Sequence, residues 1–293
     1  MPIPESQLAT WSNQGATTTA KQTHESIRRA LSSYAWPRGV SYEDYLQGSY
    51  RNSTNIRGDS DVDLVAELSS TMYSNLTDAD ERELGLTPAE YNWGDFRQDV
   101  ILALTQYYGA AFIDTSGTKA IKVLPKGGRL QADVVVCAKY IHYHERRLVA
   151  EGMTFWTSPG GTQIINYPKL HYENGTKKNN LQHTANWYKP SIRMFKNARN
   201  RILNDNPHLK DRFPSYFIEC LLHNVLDSRY GTSYQNTYEK VANWLNAEIY
   251  TEATSDFVCQ NGMQYLFGDS IVQWAVIDAQ EYVRQLIKLW NNW

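Results

Sequence analysis

The chain has 293 residues, and 29 Lys+Arg against 31 Asp+Glu give a formal net charge of −2, which excludes a protein that coats nucleic acid over its whole surface. Hydrophobic residues at 42% and charged ones at 20% exclude a disordered chain. The widely spaced Cys137, Cys220 and Cys259 exclude a disulfide framework and a Cys-rich zinc module, and with no signal peptide and no apolar run near the roughly 20 residues of a membrane span they fit a soluble protein of a reducing cytoplasm.

Thr19 and Gln22 form a capping-box pair, and Ile27, Leu31 and Tyr34 recur at helical spacing, which predicts a helix over 19–35 ended by Pro37. From Ser60 to Leu68 the period becomes two. Asp61, Asp63, Val65 and Glu67 fall on one face of a strand, with Val62, Leu64, Ala66 and Leu68 on the other. A second helix is predicted over 93–108 from the stripe Trp93, Phe96, Val100, Leu104 and Tyr107. Residues 130–138 are rich in β-branched residues and read as a buried strand, and 163–167 as a shorter one stopped by Pro168. Beyond a joint near 150–185 the chain turns helical, with segments at 190–204, 214–226, 237–249 and 271–291. The fold class is α+β, an α+β half followed by a helical half.

The stretch from Leu46 to Val65 carries the chemistry. A Gly-Ser pair, Gly48 and Ser49, precedes a strand that begins Asp-x-Asp, and alternation places both carboxylates on one face, where they can share divalent cations. Gly48 allows close backbone approach, while the Ser49 hydroxyl and nearby N–H groups suit phosphate oxygens. Asp133 lies between apolar residues of another predicted strand, an expensive place for an acid without a cation or hydrogen-bonding partner. Three such acids around two magnesium ions, about 3.5–4 Å apart, form a machine for in-line attack on a phosphate; manganese can substitute. A second feature is basic: between Glu173 and Asp205 there is no acidic residue, and Lys189, Arg193, Lys196 and Asn200 recur along one helix face suited to a triphosphate. The His142-x-His144 pair, in a basic loop-like run with Arg146 and Arg147, reads as surface.

At this point GSYRNSTNIRGDSDVDL, residues 48–64, resembles the active-site signature of the cGAS/DncV-like nucleotidyltransferases of bacterial anti-phage signalling. PESQLATWSNQGAT, IINYPKLHYENGTKKN, YKPSIRMFKNAR and PSYFIECLL extend the resemblance, specifically to clade E, over nearly the whole chain. Pro-Ser-Tyr followed by Glu219 more distantly resembles the helical half of oligoadenylate synthetases.

The resemblance implies a bilobed protein with a central cleft. A polymerase-β-like core over 1–165, with an N-terminal helix able to span both lobes, would be followed by a helical domain over 166–293. It implies Asp61, Asp63 and Asp133 as the metal-binding catalytic triad and Gln47, Gly48 and Ser49 as the nucleotide-binding turn. Lys196 and Ser215 would hold the donor triphosphate and Tyr216 would stack on its base. Nucleoside triphosphates, UTP and ATP, would be joined into a pyrimidine-containing product, cyclic UMP-AMP or cyclic di-UMP, that switches on a separate effector. A monomer is expected, and without a zinc-binding insertion direct activation by DNA is not. An Asn amide offers a donor and an acceptor that meet the N3 and O4 edge of uracil; the short strand and the resemblance together place Asn166 at the base, the other reading being that it only caps the turn before Tyr167 and Pro168. Two other readings are a toxin–antitoxin-type nucleotidyltransferase that adds AMP to protein, which leaves the helical half unexplained, and a nucleotide-binding pseudoenzyme, which leaves the intact triad unexplained.

Overall fold

The computed structural model describes residues 1–58, 61–145, 147–158 and 161–293. In chain order the elements are α1 (Glu5–Ser12), α2 (Thr18–Ser32), β1 (Tyr42–Leu46), the short α3 (Gly48–Asn52), β2 (Val62–Ser74), α4 (Asp78–Glu83) and α5 (Trp93–Tyr108). They continue with β3 (Ile113–Asp114), β4 (Ile121–Val123), β5 (Ala132–His144), β6 (Arg147–Trp156) and β7 (Gln163–Asn166). The helices α6 (Pro168–Asn179), α7 (Tyr188–Asp205), α8 (Ser215–His223), α9 (Tyr234–Glu248) and α10 (Val276–Asn291) complete the chain. Packing divides it into two units, Ala16–Tyr50 with Ser60–Pro168, and Met1–Gly15 with Arg51–Asp59 and Lys169–Trp293.

The first unit is a seven-stranded sheet in the order β1-β2-β5-β4-β3, with β6 paired to β5 and β7 to β6. The β2–β5 pair is parallel and the other pairs are antiparallel. Val62, Leu64 and Ala66 of β2, Ala132, Val134 and Val136 of β5, and Ile121 and Val123 of β4 share one buried core with Ile27 and Leu31 of α2 and Phe96, Val100 and Leu104 of α5. Alternation therefore sends the residues between them to the opposite face. The helix over 93–108 starts at a true capping box, in which Asn92 and Asp95 satisfy each other's backbone N–H groups.

The second unit packs α1 and α7 to α10 around one core that includes Ile3, Leu8, Phe195, Phe217, Leu245 and Leu286. Among the described residues no helix is long and apolar enough to cross a membrane.

Several expectations are corrected. The Thr19–Gln22 box does not form: the N-cap of α2 is Thr17, which makes no side-chain cap bond, and the helix is held by its buried face. It stops at Ser32, where the Trp36 indole donates to the Leu31 carbonyl at 2.9 Å, before Pro37 is reached. The predicted strand start at Ser60 lies outside the described residues; β2 starts at Val62 and runs on to Ser74. His142 and His144 belong to β5 rather than to a loop, while Arg146 lies outside the described residues. The division falls after Pro168 rather than after 165, and residues 1–15 and 51–58 pack with the helices.

At the end of α8, burial, aided by Lys178 and His171, lowers the His223 imidazole from its ordinary 6.5 to about 4. A histidine depressed in the folded state binds fewer protons there than in the unfolded chain, so stability falls as pH drops from 6.5 towards 4. Replacing it by Asn removes this loss, about 2 kcal/mol at pH 5. Thermal melts of His223→Asn against wild type, compared at pH 7 and pH 5, should show the variant losing less on acidification.

Candidate active site

The parallel register sets Asp63 of β2 directly opposite Asp133 of β5, and the antiparallel register sets Asp133 opposite Lys122 of β4. The flanking residues Val62, Leu64, Ala132, Val134, Ile121 and Val123 are all core. The two acids and the lysine therefore share the polar face of the sheet. Asp61, exposed, immediately precedes β2. Gln47 follows β1, and its backbone N–H donates to the Asp63 carbonyl at 3.0 Å. Gly48 comes next with φ +62°, and a Cβ there would stand 2.2 Å from Asp63 Oδ2. Conformation and space both require glycine at this position. Ser49 follows, half-buried, on α3.

Burial first, and the charge of Asp61 second, push the Asp133 carboxyl up, with Lys122 opposing. Its Oδ1 is buried and has no hydrogen-bond partner. A desolvated carboxylate oxygen is costly without a donor. A hard divalent cation is the partner such an oxygen lacks, and an all-carboxylate set suits magnesium or manganese. The residues therefore fit the expected metal. Among the described residues no three His, Cys, Asp or Glu side chains converge closely enough to make a complete metal-ligand group. Neighbouring carboxylates repel one another, and a cation between them removes that repulsion.

The basic stripe of α7 is not a solvated face. Arg193 donates to the Ser12 carbonyl at 2.5 Å and to the Ser53 carbonyl at 2.6 Å. Lys196 is 1% exposed, and its ammonium donates to Glu219 Oε1 at 2.6 Å and to the Thr54 carbonyl at 3.2 Å. Glu219 also accepts from Thr54 Oγ1 at 2.7 Å and pairs with His171 Nε2 at 3.1 Å. Burial alone would raise its carboxyl, but the Lys196 charge and the His171 hydrogen bond outweigh it and hold it well below the usual carboxylate range. Lys196 is thus engaged inside the helical unit, and reaching a phosphate would mean leaving Glu219 unpaired. Lys189 is half-buried, donates to Thr176 Oγ1 at 3.1 Å and lies 5.3 Å from the Tyr172 ring, which Arg51 approaches at 4.4 Å.

Ser215 and Tyr216 open α8, both half-buried. The Tyr216 ring stacks on His171, with centroids 5.0 Å apart and planes 24° apart, and Trp274 is 5.8 Å away. Asn166 ends β7 opposite Met153. Gly152 permits that approach, because a Cβ there would stand 2.7 Å from the Asn166 carbonyl oxygen. The half-buried Asn166 amide makes no hydrogen bond among the described residues, so it does not cap the turn into α6.

Asp63, Asp133, Gln47 and Gly48 are thus brought together in the sheet unit, whereas Lys196, Ser215 and Tyr216 belong to the helical unit. Sequence reasoning missed Lys122, whose signal is the Ile-Lys-Val alternation at 121–123, and the buried roles of His171 and Glu219. The Glu219 signal is an acid inside the apolar run Phe-Ile-Glu-Cys-Leu-Leu.

Residues 173–291 match the cGAS/DncV-like nucleotidyltransferase C-terminal helical domain. The chain is 50% identical to a cyclic UMP-AMP synthase of Rhodothermus marinus, covering 100% of this chain and 99% of that one. The solved structure of the Rhodothermus marinus CdnE c-UMP-AMP synthase with Apcpp and Upnpp superposes with a TM-score of 0.91, covering 100% of this chain and 98% of that one. A cyclic nucleotide synthase of Staphylococcus haemolyticus is 37% identical over the full length of both chains. The CdnE cyclic dinucleotide synthase of Elizabethkingia meningoseptica, solved with GTP and Apcpp, matches at a TM-score of 0.80 and 27% identity, covering 98% of each.

Lys196→Met strips the buried Glu219 carboxylate of its ammonium partner, and should cost about 3–5 kcal/mol of stability. Urea denaturation checks this. An exposed phosphate ligand would instead leave the midpoint within about 0.5 kcal/mol of wild type.

Proposed function

This chain belongs to the cGAS/DncV-like nucleotidyltransferases, and on that premise we propose that it joins two ribonucleoside triphosphates into a pyrimidine-containing cyclic dinucleotide, cyclic UMP-AMP or cyclic di-UMP, as a signal in anti-phage defence. The observation that carries this reading is the pairing of Asp63 with Asp133 across parallel strands beside Gly48, with one Asp133 oxygen buried and unpartnered. Asp61, Asp63 and Asp133 would hold two magnesium ions, which supply Lewis-acid stabilisation of phosphate charge.

In each of two steps an acceptor ribose hydroxyl oxygen attacks the donor α-phosphorus. A new O–P bond forms, the bond to the β-phosphate bridging oxygen breaks, and pyrophosphate leaves. Asp133, on the same sheet face, orients the hydroxyl and takes its proton. Gln47, Gly48 and Ser49 position phosphate oxygens, Gly48 by letting backbone approach closely. Ser215 and Tyr216 bind the donor nucleotide, Tyr216 through its ring. The linear product re-enters reversed, and its second hydroxyl closes the ring. In this reading the protein works in the bacterial cytoplasm as a monomer, and its partner is an effector reached through the product.

Base choice rests on Asn166. Its amide, half-buried and unbonded at the end of β7, can donate to O4 and accept from N3 of uracil. A matched bidentate contact is worth roughly 1–3 kcal/mol of discrimination, or about 5- to 150-fold in preference.

Mass spectrometry of the products from all four ribonucleotides tests the reaction, and a labelled protein in place of a small phosphatase-resistant product would overturn it. Asp63→Asn should lower pyrophosphate release at least about a hundredfold, the scale of losing one preorganised electrostatic partner, with the melting temperature little changed. Gly48→Ala should do the same by displacing the Asp63 carboxylate. In competition between ATP and UTP, Asn166→Ser should shift the product towards adenine; unchanged ratios at full activity would assign base choice to another residue.

A further inference from the structure

We propose that Lys122 is a further residue of this reaction, its ammonium contacting phosphate oxygens of a bound nucleotide beside Asp133. The inference rests on the nucleotidyl-transfer reading and deepens it. Ile121 and Val123 are buried in the core shared with β2 and β5, so Lys122 between them must point to the face that carries Asp63 and Asp133. Strand register makes the row explicit: Asp63 opposite Asp133, Asp133 opposite Lys122, and Lys122 opposite Asp114 of β3. Directly paired residues lie about 5 Å apart along such a row. Lys122 is the cation that this acid row contains.

That cation is not spent. Asp114 turns its Oδ1 to the Ser116 backbone N–H at 2.9 Å, and Asp133 Oδ1 has no partner at all. Lys122 itself makes no ion pair or hydrogen bond among the described residues. The contrast with α7 is direct, since Arg193 and Lys196 are committed to carbonyl groups and to Glu219. Lys122 is half-buried and feels the charges of Asp133 and Asp114 without bonding to either, so all three of its ammonium donors stay open to a ligand. Phosphate oxygens suit such donors through a charge-assisted contact. The charge balance calls for it too. Three carboxylates largely cancel two divalent cations, so the phosphates of a nucleotide need further positive charge from the protein.

A different role, in which Lys122 merely holds Asp133 in place, makes an opposite demand. A lysine that positions a metal ligand helps divalent binding, and its loss weakens it. A lysine waiting for phosphate repels the metal, and its loss leaves metal affinity unchanged or tighter.

The test is Lys122→Met, with Lys122→Gln as a second variant and Lys122→Arg as the conservative one, each checked for a wild-type melting transition. Titration calorimetry with Mn2+ and non-hydrolysable ATP and UTP analogues reads nucleotide affinity, and electron paramagnetic resonance without nucleotide reads Mn2+ affinity. The proposal expects analogue Kd to rise about tenfold in the Met and Gln variants, the size of one charge-assisted contact. It expects Mn2+ affinity to hold or tighten, and Arg to restore analogue binding. Mn2+ affinity falling in step with analogue affinity would overturn it in favour of acid positioning, and analogue affinity unchanged in both neutral variants would overturn it outright. A wild-type protein that binds neither analogue would instead bring down the nucleotidyl-transfer reading itself.

Discussion

A pleated sheet with one face given to the core has no choice about where the intervening side chains go. In β2, β4 and β5 the apolar residues Val62, Leu64, Ile121, Val123, Ala132 and Val134 face α2 and α5. Asp63, Asp133 and Lys122 are thereby driven together on the other face. The arrangement is held by apolar burial, at roughly 25 cal/mol per Å² of surface removed from water, while it concentrates charge that is unfavourable by itself. Asp133 registers the cost directly, with its carboxyl pushed up by burial and by Asp61 and one oxygen left without a donor. Stability is built on one face of the sheet, and charge is gathered on the other.

The helical unit deals with buried charge in the opposite way, by full satisfaction. Glu219 is 3% exposed, yet it is bonded by Lys196, Thr54 and His171. Effective desolvation costs several kcal/mol per ion, so such a group persists only with this density of partners. Two consequences bear on the candidate site. Thr54 and Ser53 are tied down by α7, and they lie on the covalent link between α3, which opens at Gly48, and β2, which carries Asp63. His171 packs flat against Tyr216, so the network also fixes the ring at the start of α8.

The β6–β7 pair shows a smaller device of the same kind. Gly152 leaves the space that lets the end of β7 close onto β6, and the chain turns into α6 at Pro168 without using the Asn166 amide. A polar group that backbone pairing positions and local structure does not consume is available for recognition. That amide is the group on which the proposed base choice rests.

The sequence by itself determined the acid motif, the glycine before it and the α+β-then-helical order, because these are local. Period-two alternation, a φ that only glycine takes easily and helical spacing are all written over a few residues. It also carried enough of a pattern, over nearly its whole length, to reveal the family. It did not determine which way the basic stripe of α7 faces, because a helix in contact on several sides shows the same spacing as one with a solvated face, and only the packed unit reveals that Lys196 meets Glu219. Nor did it place Lys122, since three residues of Ile-Lys-Val fix a face and no register. Register is decided by strands distant in sequence whose hydrophobic sets must align on one core, and that is a property of the folded sheet alone.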